Sequence, residues 1–302
     1  MMQREQLLLR APAKVNLYLK VIGRRADGYH LLDTLMQKVG LYDEIEVQAC
    51  AEGIHLHCVN GTLPENRDNI VYRAAELFLR ETQGRRKGDA NGVRVSLTKR
   101  IPVAAGLGGG SSDAAATLNG LNELYQCGCS GAELAAMGLR LGADVPFFLA
   151  TAPAAIATGI GEQLHPVPPL KGCSLVLVNP GIPVSTRWVY QNFALTVDKI
   201  GSNLKNSQED IDRSFTPREP LLPESWAARS CNDLERVTLA RHPQIEQIKA
   251  GLVESGAVGA LMSGSGPTVF GVFSNRQQAE VGFIRFKSRF VYTYLVDPVE
   301  EE

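Results

Sequence analysis

The sequence predicts an α+β protein of two domains. Apolar alternation marks several strands in the first hundred residues, with a helix set among them. A glycine-rich loop then feeds an alanine-rich helix, and strands and helices alternate again beyond residue 170. At 302 residues the chain is long enough to bury a core in each of two domains.

Alternation at Leu7/Leu9, Leu17/Leu19/Val21, Ile45/Val47, Ile54/Leu56 and Val93/Val95/Leu97 gives the early strands. Between them Asp68-Asn69 precedes Ile70, Ala74, Leu77 and Phe78 at helical spacing, with Gly84 as the stop. After the glycine loop, Ala115, Leu118, Leu121 and Leu124 form the apolar stripe of a helix. Ser130-Gly-Ala-Glu133 reads as a capping box that starts another helix, ending near Gly142. Leu175 to Val178 is a buried strand closed by the turn Asn179 to Pro183, and residues 198–225, polar and weakly periodic, read as a surface excursion. Pro243 opens a helix carrying Ile245, Ile248 and Leu252, stopped by Gly256. Strands at 257–262 and 269–273, a helix near 276–288 and a strand near 290–296 complete the second layer. Glycine, proline and lysine cluster in the stretch Gly161 to Lys171, which predicts domains at 1–163 and 164–302.

A net charge of −1 argues against a dominant basic surface and so against nucleic acid as the partner. No apolar run approaches the roughly 18 residues of a membrane span, and a cytoplasmic protein is expected. The six cysteines read as free thiols of a reducing compartment. Cys127-Gly-Cys129 lacks the spacer of a zinc knuckle, and His55 and His57 read as one face of a surface hairpin, so no metal site is expected.

The stretch Pro102-Val-Ala-Ala-Gly-Leu-Gly-Gly-Gly-Ser-Ser-Asp113 carries the chemistry. Its glycines let the backbone approach a ligand closely, and a loop that feeds a helix N-terminus points free N–H groups and the positive dipole end at an anion. Ser111 stands where a Walker A loop needs lysine, and neither glycine register gives the dinucleotide fingerprint. A plain flexible strand-to-helix loop is the alternative.

This loop resembles the phosphate loop of the GHMP kinases, the superfamily of galactokinase, homoserine kinase and mevalonate kinase. Pro12-Ala-Lys-Val-Asn-Leu17 and Ser263-Gly-Ser-Gly-Pro-Thr268 agree with it in the same order. Within the superfamily, Ala13 to Leu17, Arg25-Ala-Asp-Gly-Tyr-His-Leu31 and Gly142-Ala-Asp-Val-Pro-Phe147 are similar to the branch whose acceptor alcohol carries a cytidine diphosphate group. The resemblance implies a ribosomal-protein-S5-domain-2-like N-terminal domain, a ferredoxin-like C-terminal domain and a cleft between them. It also implies transfer of the γ-phosphoryl group of ATP to the 2-hydroxyl of that alcohol, in the non-mevalonate route to isoprenoid precursors. Magnesium would arrive on ATP with few or no protein ligands. The competitors are a kinase of the same superfamily acting on mevalonate, homoserine or a sugar, and a non-catalytic nucleotide-binding module.

Residue by residue, the resemblance makes Asp144 the base and Lys14 its partner, with Asn16 beside it on one strand face. Read alone, Asp144 is a helix cap or loop acid, and Lys14 an edge-strand lysine. Pro102, Val103, Ala104, Ala105, Gly106, Leu107, Gly108, Gly109, Gly110, Ser111 and Ser112 would hold the phosphates, and Asn69 and Lys99 would lie on the adenine side. Tyr29 would stack on cytosine and His30 would hydrogen-bond it, with Tyr190 closing the other side of the base and Thr186 a nearby polar contact. A core tyrosine and a solvent histidine are the alternative for that pair. Gly264, Ser265 and Gly266 would support the phosphate loop, or form a plain hairpin.

Overall fold

The structure is a computed structural model and describes residues 6–59, 61, 63–88, 90–200 and 219–301. The chain divides into two compact units. The first comprises Met1–Ala13, Leu41–Val103 and Gly108–Thr151; the second comprises Lys14–Gly40, Ala104–Leu107 and Ala152–Glu302. Strands β1 (Gln6–Arg24) and β2 (His30–Cys50) each run on from one unit into the other, so no single cut in the sequence separates the two. β1 is one strand rather than the two that alternation suggests. Ala11 to Leu19 are buried on both faces, which erases the period of two in its middle.

In the first unit, β3 (Ile54–Cys58) pairs in parallel with β4 (Gly92–Thr98), and β4 runs antiparallel to Glu44–Cys50 of β2. A parallel pair needs a crossover, here provided by α1 (Ile70–Glu81). His55 and His57 therefore lie on a crossover-connected strand and not in a hairpin, and His57 Nδ1 sits 3.1 Å from Glu65 Oε1. Ile45, Val47, Val93, Val95 and Leu97 are buried. α2 (Gly109–Leu124) packs on this sheet at Gly120, where a Cβ would lie 2.6 Å from Leu9 Cδ1 and 3.2 Å from Val47 Cγ2. α3 (Gly131–Leu141) opens on the full capping box of Ser130 and Glu133, and α4 (Val145–Leu149) follows after a short turn.

In the second unit, β5 (Ala154–Thr158) pairs with Thr34–Gln37 of β2 and with β6 (Gln163–Pro166). The Gly161 to Lys171 stretch thus holds a paired strand inside one unit, where a linker was expected. β7 (Ser174–Asn179) leads to helices α5 (Thr186–Ile200), α6 (Pro223–Ala227), α7 (Glu235–Arg241) and α8 (Gln244–Glu254). β8 (Gly259–Met262), β9 (Val269–Phe273), α9 (Arg276–Lys287) and β10 (Tyr292–Val296) close the chain. The sheet order β10-β7-β9-β8 is that of a ferredoxin-like βαββαβ unit. Its core gathers Val176, Val178, Val189, Phe193, Ile245, Leu252, Met262, Val269, Phe273 and Phe286. Of the expected surface excursion at 198–225, residues 201–218 lie outside the described residues, and its end forms α6. All six cysteines are free. Among the described residues no helix is long and apolar enough to cross a membrane.

Candidate active site

In the first unit, α2 begins without any side-chain cap. Gly108 takes the N-cap place in the left-handed region (φ 69°), and no acidic residue stands in the first turn. The first main-chain bond of this helix runs from Ser112 N to Gly108 O, so the amides of Gly109, Gly110 and Ser111 precede the ladder. The Ser112 hydroxyl is buried with no hydrogen-bond partner. Glycine in place of an acid, three amides ahead of the ladder and an orphaned hydroxyl fit a polyphosphate, because the first turn of the helix carries no negative charge.

Asp144 stands at the N-cap place of α4 with αR backbone angles, and its side chain makes no cap hydrogen bond. The helix-cap reading therefore does not describe what this half-buried carboxylate does. Its segment lies against the start of α2: a Cβ on Gly142 would be 3.8 Å from Ser111 Oγ. The first unit thus sets an acid-bearing turn beside the amide-rich helix end.

Asn69 and Lys99 both make structural bonds. Asn69 is buried, accepts from Val71 N at 3.0 Å as the cap of α1, and donates to Pro64 O at 2.9 Å. The Lys99 ammonium bridges Asp43 Oδ2 and, at 2.7 Å, Asp113 Oδ2. One cation cannot neutralise two buried carboxylates. Burial pushes the Asp113 carboxyl up to about 7, against the opposing pull of Lys99 and with the help of the Asp43 charge. Burial alone would lower Lys99, but Asp113 and Asp43 outweigh it and hold the lysine above its ordinary value.

The sign for stability follows from the protons bound. Between about pH 4, the ordinary carboxylate range, and about pH 7 the folded protein keeps a proton on Asp113 that the unfolded chain releases. The stability from that protonation is full below pH 4 and falls as pH rises to 7. Asp113→Asn is expected to remove this slope: urea unfolding at pH 5, 6, 7 and 8 should show wild type losing stability relative to the variant as pH rises. A pH-independent difference would contradict the shift.

In the second unit, Lys14 is 5% exposed, which removes the edge-strand reading. Its ammonium donates to Asn16 Oδ1, Asn16 Nδ2 donates to Thr34 Oγ1 at 2.9 Å, and Thr34 Oγ1 donates to Tyr18 O at 2.6 Å. Lys14 N donates to Leu107 O at 2.9 Å, one residue before the N-cap of α2. Gly106, at φ 76°, accepts from the Ser263 hydroxyl at 2.8 Å, and Thr268 N donates to Ala105 O at 3.3 Å. The Ser263 to Thr268 loop thus joins β8 to β9 as a hairpin and also braces residues 105 and 106. A Cβ on Gly264 would lie 3.4 Å from Asn16 Oδ1 and 3.6 Å from Lys14 Nζ. Asn232, which sequence reasoning passed over, donates to Met262 O and Gly264 O at 2.8 Å and fixes that loop.

Tyr29 is 60% exposed, so it is not a core tyrosine. The His30 ring stacks on Tyr190 at 5.2 Å and meets the edge of Phe193 at 6.2 Å. Burial, then the charge of Arg24, lowers the His30 pKa and so favours the neutral imidazole. Thr186 Oγ1 lies 2.8 Å from Ser265 Oγ, tying α5 to the glycine loop of the hairpin. Phe193 also escaped sequence reasoning, although its spacing of four from Val189 marks the buried face of α5.

The sequence matches the GHMP kinases N terminal domain over residues 69–151 and the GHMP kinases C terminal domain over residues 205–284. It is 49% identical over 274 residues to the 4-diphosphocytidyl-2-C-methyl-D-erythritol kinase of Syntrophus aciditrophicus, covering 91% of this chain and 92% of the relative. It is 46% identical to the kinase of the same name from Syntrophotalea carbinolica, covering 96% of this chain and 98% of the relative. The fold superposes with a TM-score of 0.75 on a crystal structure of 4-(cytidine 5'-diphospho)-2C-methyl-D-erythritol kinase, at 35% identity over 96% of this chain and 98% of that one. A mevalonate kinase structure shares the fold at a TM-score of 0.69 and 16% identity. With both GHMP domains matched and relatives this similar along nearly the full length, the chain belongs to the GHMP kinases, in the family of the 4-diphosphocytidyl-2-C-methyl-D-erythritol kinases.

Proposed function

We propose that this protein transfers the γ-phosphoryl group of ATP to the 2-hydroxyl of 4-diphosphocytidyl-2-C-methyl-D-erythritol, giving the 2-phosphate and ADP. As a GHMP kinase it is an ATP-dependent small-molecule kinase. The observation that carries the reading is the acid-free, glycine-started end of α2 with the Asp144 turn beside it.

Phosphoryl transfer asks a protein chiefly to align oxygens and to neutralise spreading charge. The amides of Gly109, Gly110 and Ser111 donate to the phosphates. Asp144 accepts the proton of the 2-hydroxyl, and Lys14 is held in place by Asn16 and, through it, by Thr34. Tyr29, His30 and Tyr190 offer aromatic faces and an imidazole for the cytosine. Magnesium, which arrives with the nucleotide, adds positive charge to the phosphates when bound. Among the described residues no group of three or more His, Cys, Asp or Glu side chains could hold a metal ion, and the Ser112 hydroxyl is the unpartnered polar group of the loop that could turn to one.

ADP release by the purified protein, measured with this alcohol, mevalonate, homoserine and galactose in parallel, tests the proposal. Turnover is expected with the cytidine diphosphate alcohol alone. Preferred turnover of any other alcohol would overturn it.

A further inference from the structure

Pro102 to Ser112 is a long, glycine-rich segment, and a segment of that kind must be pinned at both ends to present its amides in one arrangement. The structure pins both ends to one buried charge cluster in the first unit. Asp43, fully buried on β2, accepts from Arg100 N at 2.5 Å and from Ile101 N at 2.9 Å, the two residues before Pro102. Its other oxygen takes the Lys99 ammonium, which reaches across to Asp113 Oδ2 at 2.7 Å, the residue just after Ser112. The start of α2 rests on the same cluster: a Cβ on Gly109 would lie 2.9 Å from Ile101 Cγ2 and 3.2 Å from Lys99 Nζ. Entry, exit and first helical turn of the segment therefore share a single support.

We propose that Asp43 is a positioning residue for nucleotide binding, acting through Lys99 and Asp113 as a clamp that fixes the two ends of the phosphate loop. Neither oxygen of Asp43 faces the loop amides; its influence passes through the Arg100 and Ile101 backbone and the lysine. The clamp rests on the reading of this loop as the ATP site. It also gives the buried Lys99 a task other than direct contact with adenine.

Asp43→Asn separates the parts. The amide oxygen still accepts from Arg100 and Ile101, but the amide NH₂ then faces the Lys99 ammonium, donor against donor, and the link to Asp113 is lost. Binding of ATP and of cytidine diphosphate is measured by calorimetry on the full chain, with thermal unfolding alongside. The expected result is an ATP Kd raised about tenfold or more, with an unchanged cytidine diphosphate Kd. A lowered Tm with both affinities unchanged would mean that the cluster serves stability alone, and would overturn the clamp. Should Asp43→Asn fail to fold, Asp113→Ala carries the test, since it removes the acceptor of the Lys99 bridge at the exit of the loop. It should weaken ATP binding severalfold and again spare cytidine diphosphate, and an unchanged ATP Kd would overturn the proposal. Wild-type protein that binds no ATP would instead defeat the reading of the loop, and the clamp with it.

Discussion

Asp144→Asn is expected to lower kcat by about 10²–10⁴ while leaving ATP affinity and the start of α4 unchanged, the loss typical when a positioned base is removed. The separation of chemistry from stability follows from local geometry. A carboxylate that capped α4 would take roughly 1 kcal/mol of stability with it on substitution. The Asp144 side chain makes no such bond, and α4 is started instead by Pro146 in its first turn. The isosteric amide keeps the size of the group and cannot accept the proton of an alcohol at neutral pH. Steady-state kinetics with saturating ATP, together with nucleotide binding by calorimetry, measures both halves. Activity within tenfold of wild type would reject Asp144 as the base.

Gly106→Ala has the second large effect, and it acts through the backbone. Gly106 sits at φ 76°, where an L side chain costs roughly 1–2 kcal/mol. The added Cβ would lie 2.2 Å from Ser263 O, 3.1 Å from Gly266 O and 3.2 Å from Gly266 N. All three are main-chain atoms, so no rotamer change relieves the overlap. The bracing hairpin has to move away from the loop, breaking the bond from the Ser263 hydroxyl to Gly106 O. We expect a Tm several degrees lower and an ATP Kd at least about tenfold higher. Gly110→Ala is the control, because its Cβ would meet only Ile70 Cγ2, at an ordinary 3.6 Å. That variant should keep wild-type stability. Equal losses for the two substitutions would mean that flexibility of the loop, and not its contact with Ser263, is what matters.

The parts of this protein that the sequence discloses are those with a local physical signature. The capping box at Ser130 and Glu133 forms as its spacing requires, and the stripe from Ala115 to Leu124 is the buried face of α2. The pairing of β8 with β9 across the Ser-Gly-Ser-Gly loop is likewise legible, since a short glycine loop between apolar runs has few other solutions. What stayed hidden depends on partners far away in the chain. Ala154 to Ala157 are buried on both faces, and alanine carries little strand signal, so β5 leaves no alternation to read. The division into units eludes a linker search because β1 and β2 thread both, and the glycine cluster near 161 serves turns around a paired strand.

The site divides the same way. Glycines, Lys14 and Asp144 stand in recognisable blocks, whereas Asp43, Thr34 and Asn232 carry no motif of their own. Each is a polar side chain that becomes meaningful only once folding places a lysine, an asparagine or a pair of carbonyls against it. The same holds for Asn69 and Lys99. The resemblance sets them on the adenine side, and the structure shows a helix cap and an ion-pair bridge.

A crystal structure of the protein with a non-hydrolysable ATP analogue and 4-diphosphocytidyl-2-C-methyl-D-erythritol bound together would show whether the start of α2 and Asp144 serve one reaction. Phosphate oxygens are expected on the amides of Gly109, Gly110 and Ser111, with the 2-hydroxyl in line with the γ-phosphorus. The Asp144 carboxylate should then stand about 2.6–3.2 Å from that hydroxyl. A nucleotide bound away from the start of α2, or an Asp144 carboxylate too far from the hydroxyl to reach it even through one water, would contradict that shared role.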